Sequence, residues 1–168
     1  MKLLRAVELW CEWICTHNPS KRFNVELQLM FLGVKYSRWL RKKIQRRLYY
    51  RYHCDISHSA VIHPSVSFPH PLGIVIGSNV IVERDCVLYQ NVTIGSQFGG
   101  DNGMAHVKSN VKIGAGAKLI GAIEVGEFCT IGANAVITKS LPPHSVAIGA
   151  NKIVPTDSII SELSERSK

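Results

Sequence analysis

Residues 113–136 read IGAGAK-LIGAIE-VGEFCT-IGANAV, four units of six residues that each begin with Ile, Leu or Val. The same count extends outward, with one interruption between residues 94 and 107, through these aliphatic positions: Ile76, Val82, Leu88, Ile94, Val107, Ile113, Leu119, Val125, Ile131 and Ile137. Gly often follows the aliphatic residue, and small or apolar residues fill the fifth place. A short period held over so much of a chain predicts a repeat architecture.

Each six-residue unit fits a short strand and a tight turn, with the aliphatic side chain pointing inward and Gly where the backbone bends. Three units would form one triangular coil, and such coils must stack to bury their apolar column. The pattern therefore predicts a mainly β protein, a parallel β-helix built from hexapeptide repeats over residues 54–154.

Residues 1–53 precede the repeat and are predicted to form a short helical segment. The expected helices cover residues 1–15, ending at Asn18-Pro19, then about 25–32 and about 35–52. Arg5, Glu8 and Glu12 interrupt the apolar start of the chain, which argues against a signal peptide. No apolar span reaches membrane-crossing length.

At the C-terminal end of the sequence, Thr156-Asp157 is predicted to cap a helix within residues 155–168.

Positive charge is concentrated in the helical segment. Residues 1–54 contain twelve Lys and Arg against three Glu, whereas residues 55–168 contain eight against nine acidic residues. This basic region is either a solvated face or a surface attracted to anionic lipid or anionic glycan. Nucleic acid is disfavoured as a partner because no recognised binding module accompanies the charge.

The five Cys residues form no CxxC pair, and Cys86 and Cys129 occupy inward repeat positions. This usage favours a reducing cytoplasmic compartment, where a buried thiol acts as a small apolar group. The His and Cys residues also lack metal-ligand spacing, so no metal is expected, and the Gly-rich segments lack the P-loop pattern.

A loop is predicted at about residues 96–108, where the six-residue count fails. It is rich in Gly and contains Asp101, Asn102 and His106, which are candidate substrate-binding residues because rigid scaffolds often present binding groups on loops. A flexible insertion without a function is the alternative.

His70 lies six residues before Ile76, at a place that the repeat elsewhere gives to aliphatic residues. Asp55 lies fifteen residues earlier, close to the length of one coil, so its carboxylate could orient the imidazole and stabilise its charged form. A surface histidine or a structurally bonded one is the alternative interpretation.

Several segments resemble the serine acetyltransferase family, over about residues 54–154. They are Cys54-Asp55-Ile56, residues 69–77 (PHPLGIVIG), residues 90–95 (QNVTIG), residues 113–118 (IGAGAK) and residues 140–144 (SLPPH). The resemblance implies a left-handed β-helix, a homotrimer with active sites between subunits, and acetyl-CoA as co-substrate. It also implies that His70 is the general base and Asp55 its partner.

The same resemblance implies the contacts to acetyl-CoA. Gly95, Ala115 and Ala133 match positions whose backbone lines the pantetheine arm, and Lys118, Lys139 and Lys152 are candidate partners for the phosphates.

The chain departs from the family at positions that concern the acceptor. Pro69 replaces the Asp that usually precedes the catalytic His, and Gly103 and Met104 replace the adjacent Arg and His that meet the serine carboxylate. An amino acid needs both its charges paired when it leaves water.

The sequence therefore looks like the shorter relatives that O-acetylate saccharides in capsule, exopolysaccharide or lipopolysaccharide synthesis. Serine O-acetylation is the alternative enzymatic function, and a solenoid binding module without chemistry is the alternative of another class. The expected location is the cytoplasm, with the basic helix offering peripheral contact with the inner membrane.

Overall fold

The computed structural model describes residues 2–97 and 103–154, with side chains described except for residues 2–5 and 34–36. The predicted C-terminal helix within residues 155–168 lies outside the described residues. So do Asp101 and Asn102 of the predicted loop.

Three helices form the N-terminal segment: α1 (Lys2–Cys15), α2 (Pro19–Tyr36) and α3 (Arg38–Tyr52). Asn18 caps α2, since its Oδ1 accepts hydrogen bonds from the backbone N–H groups of Ser20 (2.9 Å) and Lys21 (3.2 Å). Pro19 suits the first helical turn, where a missing N–H costs no hydrogen bond. Asn18-Pro19 therefore starts the second helix, and the prediction that this helix begins near residue 25 is wrong.

Ser37 separates α2 from α3 through an extended backbone, with φ −155° and ψ 102°. Its Oγ accepts a hydrogen bond of 3.3 Å from the backbone N–H of Leu40, which caps α3. The third helix accordingly begins at Arg38 and not near residue 35. In the part of the chain that the structure describes, no helix combines the length and apolar character needed to span a bilayer.

Short strands follow the helices at regular intervals. They are β1 (Asp55–Ile56), β2 (Val61–Ile62), β3 (Val75–Ile76), β4 (Ile81–Val82), β5 (Val87–Leu88), β6 (Thr93–Gly95), β7 (His106–Val107), β8 (Lys112–Ile113), β9 (Lys118–Ile120), β10 (Glu124–Val125), β11 (Thr130–Ile131), β12 (Val136–Ile137), β13 (Val146–Ile148) and β14 (Lys152–Val154).

These strands form three sheets that the chain visits in turn. The first sheet has the order β1-β3-β6-β9-β12, the second β2-β4-β7-β10 and the third β5-β8-β11-β13-β14. All pairs are parallel except β13 with β14. Each circuit of three sheets is one coil, so the architecture is the predicted left-handed parallel β-helix.

The predicted aliphatic column forms the core of the coils. Each of its ten residues, from Ile76 to Ile137, is at most 1% exposed. The fifth-place residues are buried as well, including Cys86 and Cys129. Full burial of one such Val, Leu or Ile side chain contributes roughly 1.5–3 kcal/mol, so the column is the main apolar stabilisation of the coils.

Aromatic packing joins the helices to the first coil. The ring of Phe23 in α2 lies 5.1 Å from the ring of Tyr52 at the end of α3 and 5.1 Å from the ring of Phe68 in the first coil. Phe23 and Phe68 are fully buried, so the helical segment and the coils share one hydrophobic core.

Candidate active site

His70 lies in an enlarged corner between the third and the first sheet. Phe68, not His70, takes the inward position of this coil, and the next inward residue of the column, Ile76, follows eight residues later instead of six. The two additional residues belong to the corner. His70 is exposed there, so the prediction that it occupies an aliphatic repeat position is wrong, although its presentation to solvent suits a reacting group.

Asp55 is the first residue of β1, beside this corner. Because the enlarged corner lengthens the coil, Asp55 pairs with Val75 in the next coil, and its N–H donates to Ile74 O at 2.9 Å. The Asp55 side chain is exposed. No hydrogen bond or ion pair joins the described side chains of Asp55 and His70, so their partnership stays a prediction.

Tyr89 is the aromatic neighbour of His70. The two ring centroids are 6.2 Å apart, and the rings are tilted by 45°. Tyr89 lies in the corresponding corner of the next coil, so it contacts His70 through the stacking of coils. Tyr89 is not among the residues predicted for the site. A coil of twenty residues, as in the pairing of Ser67 with Val87, places Tyr89 next to His70.

Asn91 supports the corner that carries His70. Its backbone N–H donates to Leu72 O at 2.9 Å, and its side chain fills the space where a Cβ on Gly73 would lie. Its backbone oxygen accepts a 2.7 Å hydrogen bond from Lys118 Nζ. The corner is therefore held from the coil that follows it.

Two of the six predicted acetyl-CoA contacts lie along the same edge of the prism, and a third lies beside it. We call this the His70 edge; it comprises the corners at residues 69–74, 89–92, 114–117 and 132–135, between the third and first sheets. Ala115 and Ala133 occupy successive corners, and Asn134 N donates to Ala115 O at 2.8 Å. Lys118 begins β9 immediately after the edge. Small residues leave the backbone of this edge accessible.

The remaining predicted contacts lie elsewhere. Gly95 ends β6 and Lys139 follows β12, so both lie at the opposite ends of first-sheet strands. Within residues 2–97 and 103–154, no atom lies within 4 Å of a Cβ added to Gly95. Lys152 lies in β14, paired with Ile148 of β13. A single chain thus places His70, Ala115 and Ala133 at successive levels of one edge with Lys118 next to it, whereas Gly95, Lys139 and Lys152 lie away from that edge.

His106 lies in a strand and not in the predicted loop. It begins β7 of the second sheet, so the interruption of the coil ends before residue 106. His106 Nε2 is 2.8 Å from Glu83 Oε1, and Ser109 Oγ donates to Glu83 Oε2 at 2.8 Å. The pKa of Glu83 is lowered, chiefly by the hydrogen bond from Ser109. The hydrogen bond from His106 and the positive charges of His106 and Lys108 make smaller contributions in the same direction.

Gly103 and Met104 end the interruption, at the positions where the resemblance implies Arg and His. Gly103 has a φ of +81°. Met104 packs against the core, and a Cβ on Gly77 would lie 2.5 Å from Met104 Cε. Neither residue offers a charged group to an acceptor. Within residues 2–97 and 103–154, no group of three or more His, Cys, Asp or Glu side chains is placed to hold a metal ion.

Comparisons with known proteins agree with this architecture. Residues 104–139 match the family model of the bacterial transferase hexapeptide (six repeats). The chain is 37% identical over 108 residues to the serine acetyltransferase of Buchnera aphidicola, a match that covers 63% of this chain and 41% of that protein. It is 44% identical over 97 residues to the serine acetyltransferase of Mycobacterium tuberculosis, covering 56% of this chain and 42% of that protein.

A solved structure of a serine acetyltransferase in complex with CoA has a TM-score of 0.71 and 31% identity with this chain. That match covers 80% of this chain and 56% of the solved chain. The chain spans only about two fifths of the length of the two curated relatives. In both sequence and fold, the chain is similar to hexapeptide-repeat transferases and, among them, to serine acetyltransferases.

Proposed function

We propose that the protein is an acetyl-CoA-dependent O-acetyltransferase. The observation that carries the proposal is the exposure of His70 in an enlarged corner, on an edge that also holds Ala115 and Ala133 and is followed directly by Lys118. The similarity to serine acetyltransferases, one of them solved with CoA, supports acetyl-CoA as the donor.

In the proposed reaction, the imidazole of His70 takes the proton from the acceptor hydroxyl as the hydroxyl oxygen attacks the thioester carbonyl carbon. The C–S bond then breaks, and the imidazolium returns its proton to the departing thiolate, so that CoA leaves as a free thiol. General base catalysis of this kind contributes roughly 10²- to 10⁴-fold. Asp55, beside the corner, is the proposed partner that steadies the protonated ring.

The proposed acceptor is a saccharide hydroxyl, with Asp101, Asn102 and His106 as the candidate binding residues from the sequence. Gly103 and Met104 provide no charge for an amino acid, and the Met104 side chain packs over Gly77 instead of reaching outward. Pro69 likewise provides no carboxylate for an ammonium group. A neutral acceptor needs neither charge partner when it leaves water. The Nε2 atom of His106 would have to leave Glu83 before it could contact an acceptor.

Serine is the second candidate acceptor, and the comparisons favour it over the saccharide. The relatives named above are serine acetyltransferases, and no saccharide-acetylating protein is among them. The chain has Pro69, Gly103 and Met104 where the resemblance implies charged residues that hold serine. Serine O-acetylation would therefore require other residues to pair with the ammonium and carboxylate groups of serine. In the homotrimer that we also propose, a neighbouring subunit could supply them.

The homotrimer would place the His70 edge of one subunit against a sheet of the next. Exposed apolar side chains on the outward faces support this arrangement: Val75 and Val136 on the first sheet, and Val61 and Ile81 on the second. Light scattering of the purified protein tests the trimer, and a monomer with full activity would exclude active sites between subunits.

The function is tested by incubating the protein with acetyl-CoA and an acceptor while the release of free thiol is followed. We expect release that depends on candidate glycans and is lost in His70→Ala, whose side chain is exposed and whose removal leaves the core intact. Thiol release that depends on serine alone would reject the saccharide and keep the enzyme class. Unchanged activity in His70→Ala would reject the general base.

A binding module without chemistry makes a different prediction in the same samples. Calorimetric titration with CoA separates the two classes, because an acetyltransferase must bind CoA whatever its acceptor is. Absence of CoA binding by the folded protein would exclude the proposed function and favour the binding module.

A further inference from the structure

One face of the helical segment carries an apolar groove that the proposed chemistry does not use. The groove has a volume of about 520 Å³ and lies between α1 and α3, lined by Ala6, Val7, Trp10, Trp13, Glu26, Leu29, Trp39, Leu40, Lys43, Ile44 and Arg47. Trp10 is 55% exposed and Trp39 is 69% exposed. Large aromatic surfaces are seldom left in water without a partner.

The apolar surface continues along α1 beyond the groove. Val7, Trp10 and Ile14 are spaced three and four residues apart, so they share one side of the helix, and all three are more than half exposed. The side of α1 that faces the protein is apolar as well, since Leu9 is buried and Trp13 packs on the core. Among the described residues, the helix therefore has more apolar surface than its neighbours cover.

A basic depression adjoins the groove. It has a volume of about 370 Å³ and is lined by Lys43, Arg46, Arg47, Tyr50 and Arg51. Lys43 and Arg47 line both features, so the apolar groove and the basic depression form one continuous surface. We call this the Trp–Arg surface, defined by the residues that line the two features.

Side-chain contacts beneath the Trp–Arg surface join the three helices that form it. Glu26, which is 1% exposed, accepts hydrogen bonds of 2.8 Å from Trp13 Nε1 and 2.8 Å from Arg47 Nε. The Arg22 guanidinium lies 4.4 Å from the centroid of the Trp13 ring. These contacts fix α1, α2 and α3 relative to one another, so Trp10 and Trp39 are presented together without further folding.

Charge decides which partner fits. Among the residues that the structure describes, Glu26 is the only carboxylate that lines either feature, and it is already paired with Arg47. The segment from residue 1 to 54 carries twelve Lys and Arg against three Glu. A second copy of this surface would bring two strongly positive faces together, whereas an anionic bilayer offers opposite charge and an apolar interior.

We infer that the Trp–Arg surface docks the protein on membranes that contain anionic phospholipid. Trp10 and Trp39 would enter the boundary between headgroups and acyl chains, where indole rings are favoured. Lys43, Arg46 and Arg51 would face the lipid phosphates, because cations near an anionic surface are attracted to it. This inference concerns location and stands whether or not the proposed acetyl transfer is correct.

The positions of the tryptophans give a direct test with the full chain. All three, Trp10, Trp13 and Trp39, belong to the helical segment, and the coils contain none, so tryptophan fluorescence, excited selectively over that of tyrosine, reports on this surface alone. Vesicles of phosphatidylcholine alone are compared with vesicles containing 3 parts in 10 of phosphatidylglycerol. We expect binding, a blue shift, and quenching by brominated acyl chains only with the anionic vesicles.

Two double variants separate charge from apolar insertion. Lys43→Gln with Arg46→Gln should weaken binding at least tenfold, whereas the charge-matched control Arg84→Gln with Lys112→Gln, at exposed positions of the coils, should leave it unchanged. Trp10→Ser with Trp39→Ser should reduce binding similarly. Circular dichroism of each variant verifies that the helices are intact.

Several results would overturn the inference. The first is that the protein does not bind anionic vesicles. The second is that both charge variants weaken vesicle binding equally. The third is that the tryptophan emission is already blue-shifted without lipid and reverts only when a self-associated form of the protein dissociates. The last result would assign the surface to a second copy of the chain. Thiol release measured without vesicles in the same samples tests the proposed enzyme separately, so the two proposals cannot be confused.

Discussion

Gly73 faces the side chain of Asn91 across adjacent coils: a Cβ on Gly73 would overlap Asn91 Oδ1, and the Gly73 backbone has a φ of +64°. Gly73 N–H also donates to Tyr52 O at 3.1 Å, which joins the corner to the end of α3. Three residues before Gly73 is His70, so this contact determines how the candidate general base is presented.

Gly73→Ala should therefore reduce both stability and turnover. A left-handed backbone costs a residue with a Cβ roughly 1–2 kcal/mol, and displacement of Asn91 adds to that cost. Chemical denaturation gives the free energy of unfolding, and thiol release gives kcat. Gly149→Ala is the control, because Gly149 has a φ of +58° but no atom of the described residues within 4 Å of an added Cβ. Equal losses in the two variants would show that Asn91 has no part in the effect.

Asp55→Asn should lower kcat by about tenfold, corresponding to about 1.4 kcal/mol in the barrier. The effect should be moderate because Asp55 is exposed and water screens its charge. Asp85→Asn, at an exposed corner between the second and third sheets, is the control and should leave kcat unchanged. Wild-type kcat in Asp55→Asn would remove Asp55 from the catalytic machinery.

Glu83 should make the protein less stable in acid. Its hydrogen bond from Ser109, with those of His106 and the nearby positive charges, lowers its pKa from the ordinary value of 4.5. The stabilising contribution is complete above pH 4.5 and is lost as the pH falls through the lower pKa of the folded protein.

Glu83→Gln should accordingly reduce the difference in unfolding free energy between pH 7 and pH 3. Glu127→Gln, at an exposed position, is the matched control and should keep the wild-type difference. Denaturant titration at each pH provides the measurement. An unchanged pH dependence in Glu83→Gln would mean that the contacts of Glu83 do not contribute to stability in solution.

The five thiols should divide into two classes. Burial raises the pKa of Cys86 to about 11, with Glu83 and Asp85 adding to the rise. Burial also raises the pKa of Cys54 and of Cys129. Cys11 and Cys15 are exposed on α1. Because the thiolate is the reactive form, an alkylating reagent at pH 8 should label Cys11 and Cys15 only.

Mass spectrometry of the native protein should therefore find two labels, and five after unfolding in guanidinium. The variant with Cys11→Ser and Cys15→Ser should take none in the native state. Rapid native labelling of Cys86 would show that the coils open far more often than their packed core implies.

The aliphatic period was enough to predict the coils and their core. Ile76, Leu119 and Ile137 are buried as expected, because an apolar side chain at a fixed interval has only the interior of the prism to occupy. Stacking of the coils then follows, since a single coil leaves its apolar face in water. The helices were located, but their boundaries at Asn18 and Ser37 were decided by capping hydrogen bonds.

The site was predicted less completely, because outward side chains obey no period. The spacing of fifteen residues between Asp55 and His70 predicts about one coil, yet the enlarged corner at residues 69–74 makes that coil twenty residues long, as Asp55 pairs with Val75. The same two additional residues place Tyr89 beside His70, which the regular period does not predict. The failure of the six-residue count predicts a loop at His106, but strand pairing in the second sheet holds His106 against Glu83.

By itself, the sequence determined the solenoid, its buried column and the resemblance that singled out His70 and Asp55. Only the tertiary structure decided which coil neighbours each outward residue, and it alone brought Trp10 and Trp39 to one groove across α1 and α3. The physical reason is that burial of apolar groups depends on local spacing. Contacts between polar and aromatic groups on the surface depend on corner lengths and helix packing, which are set by the whole chain.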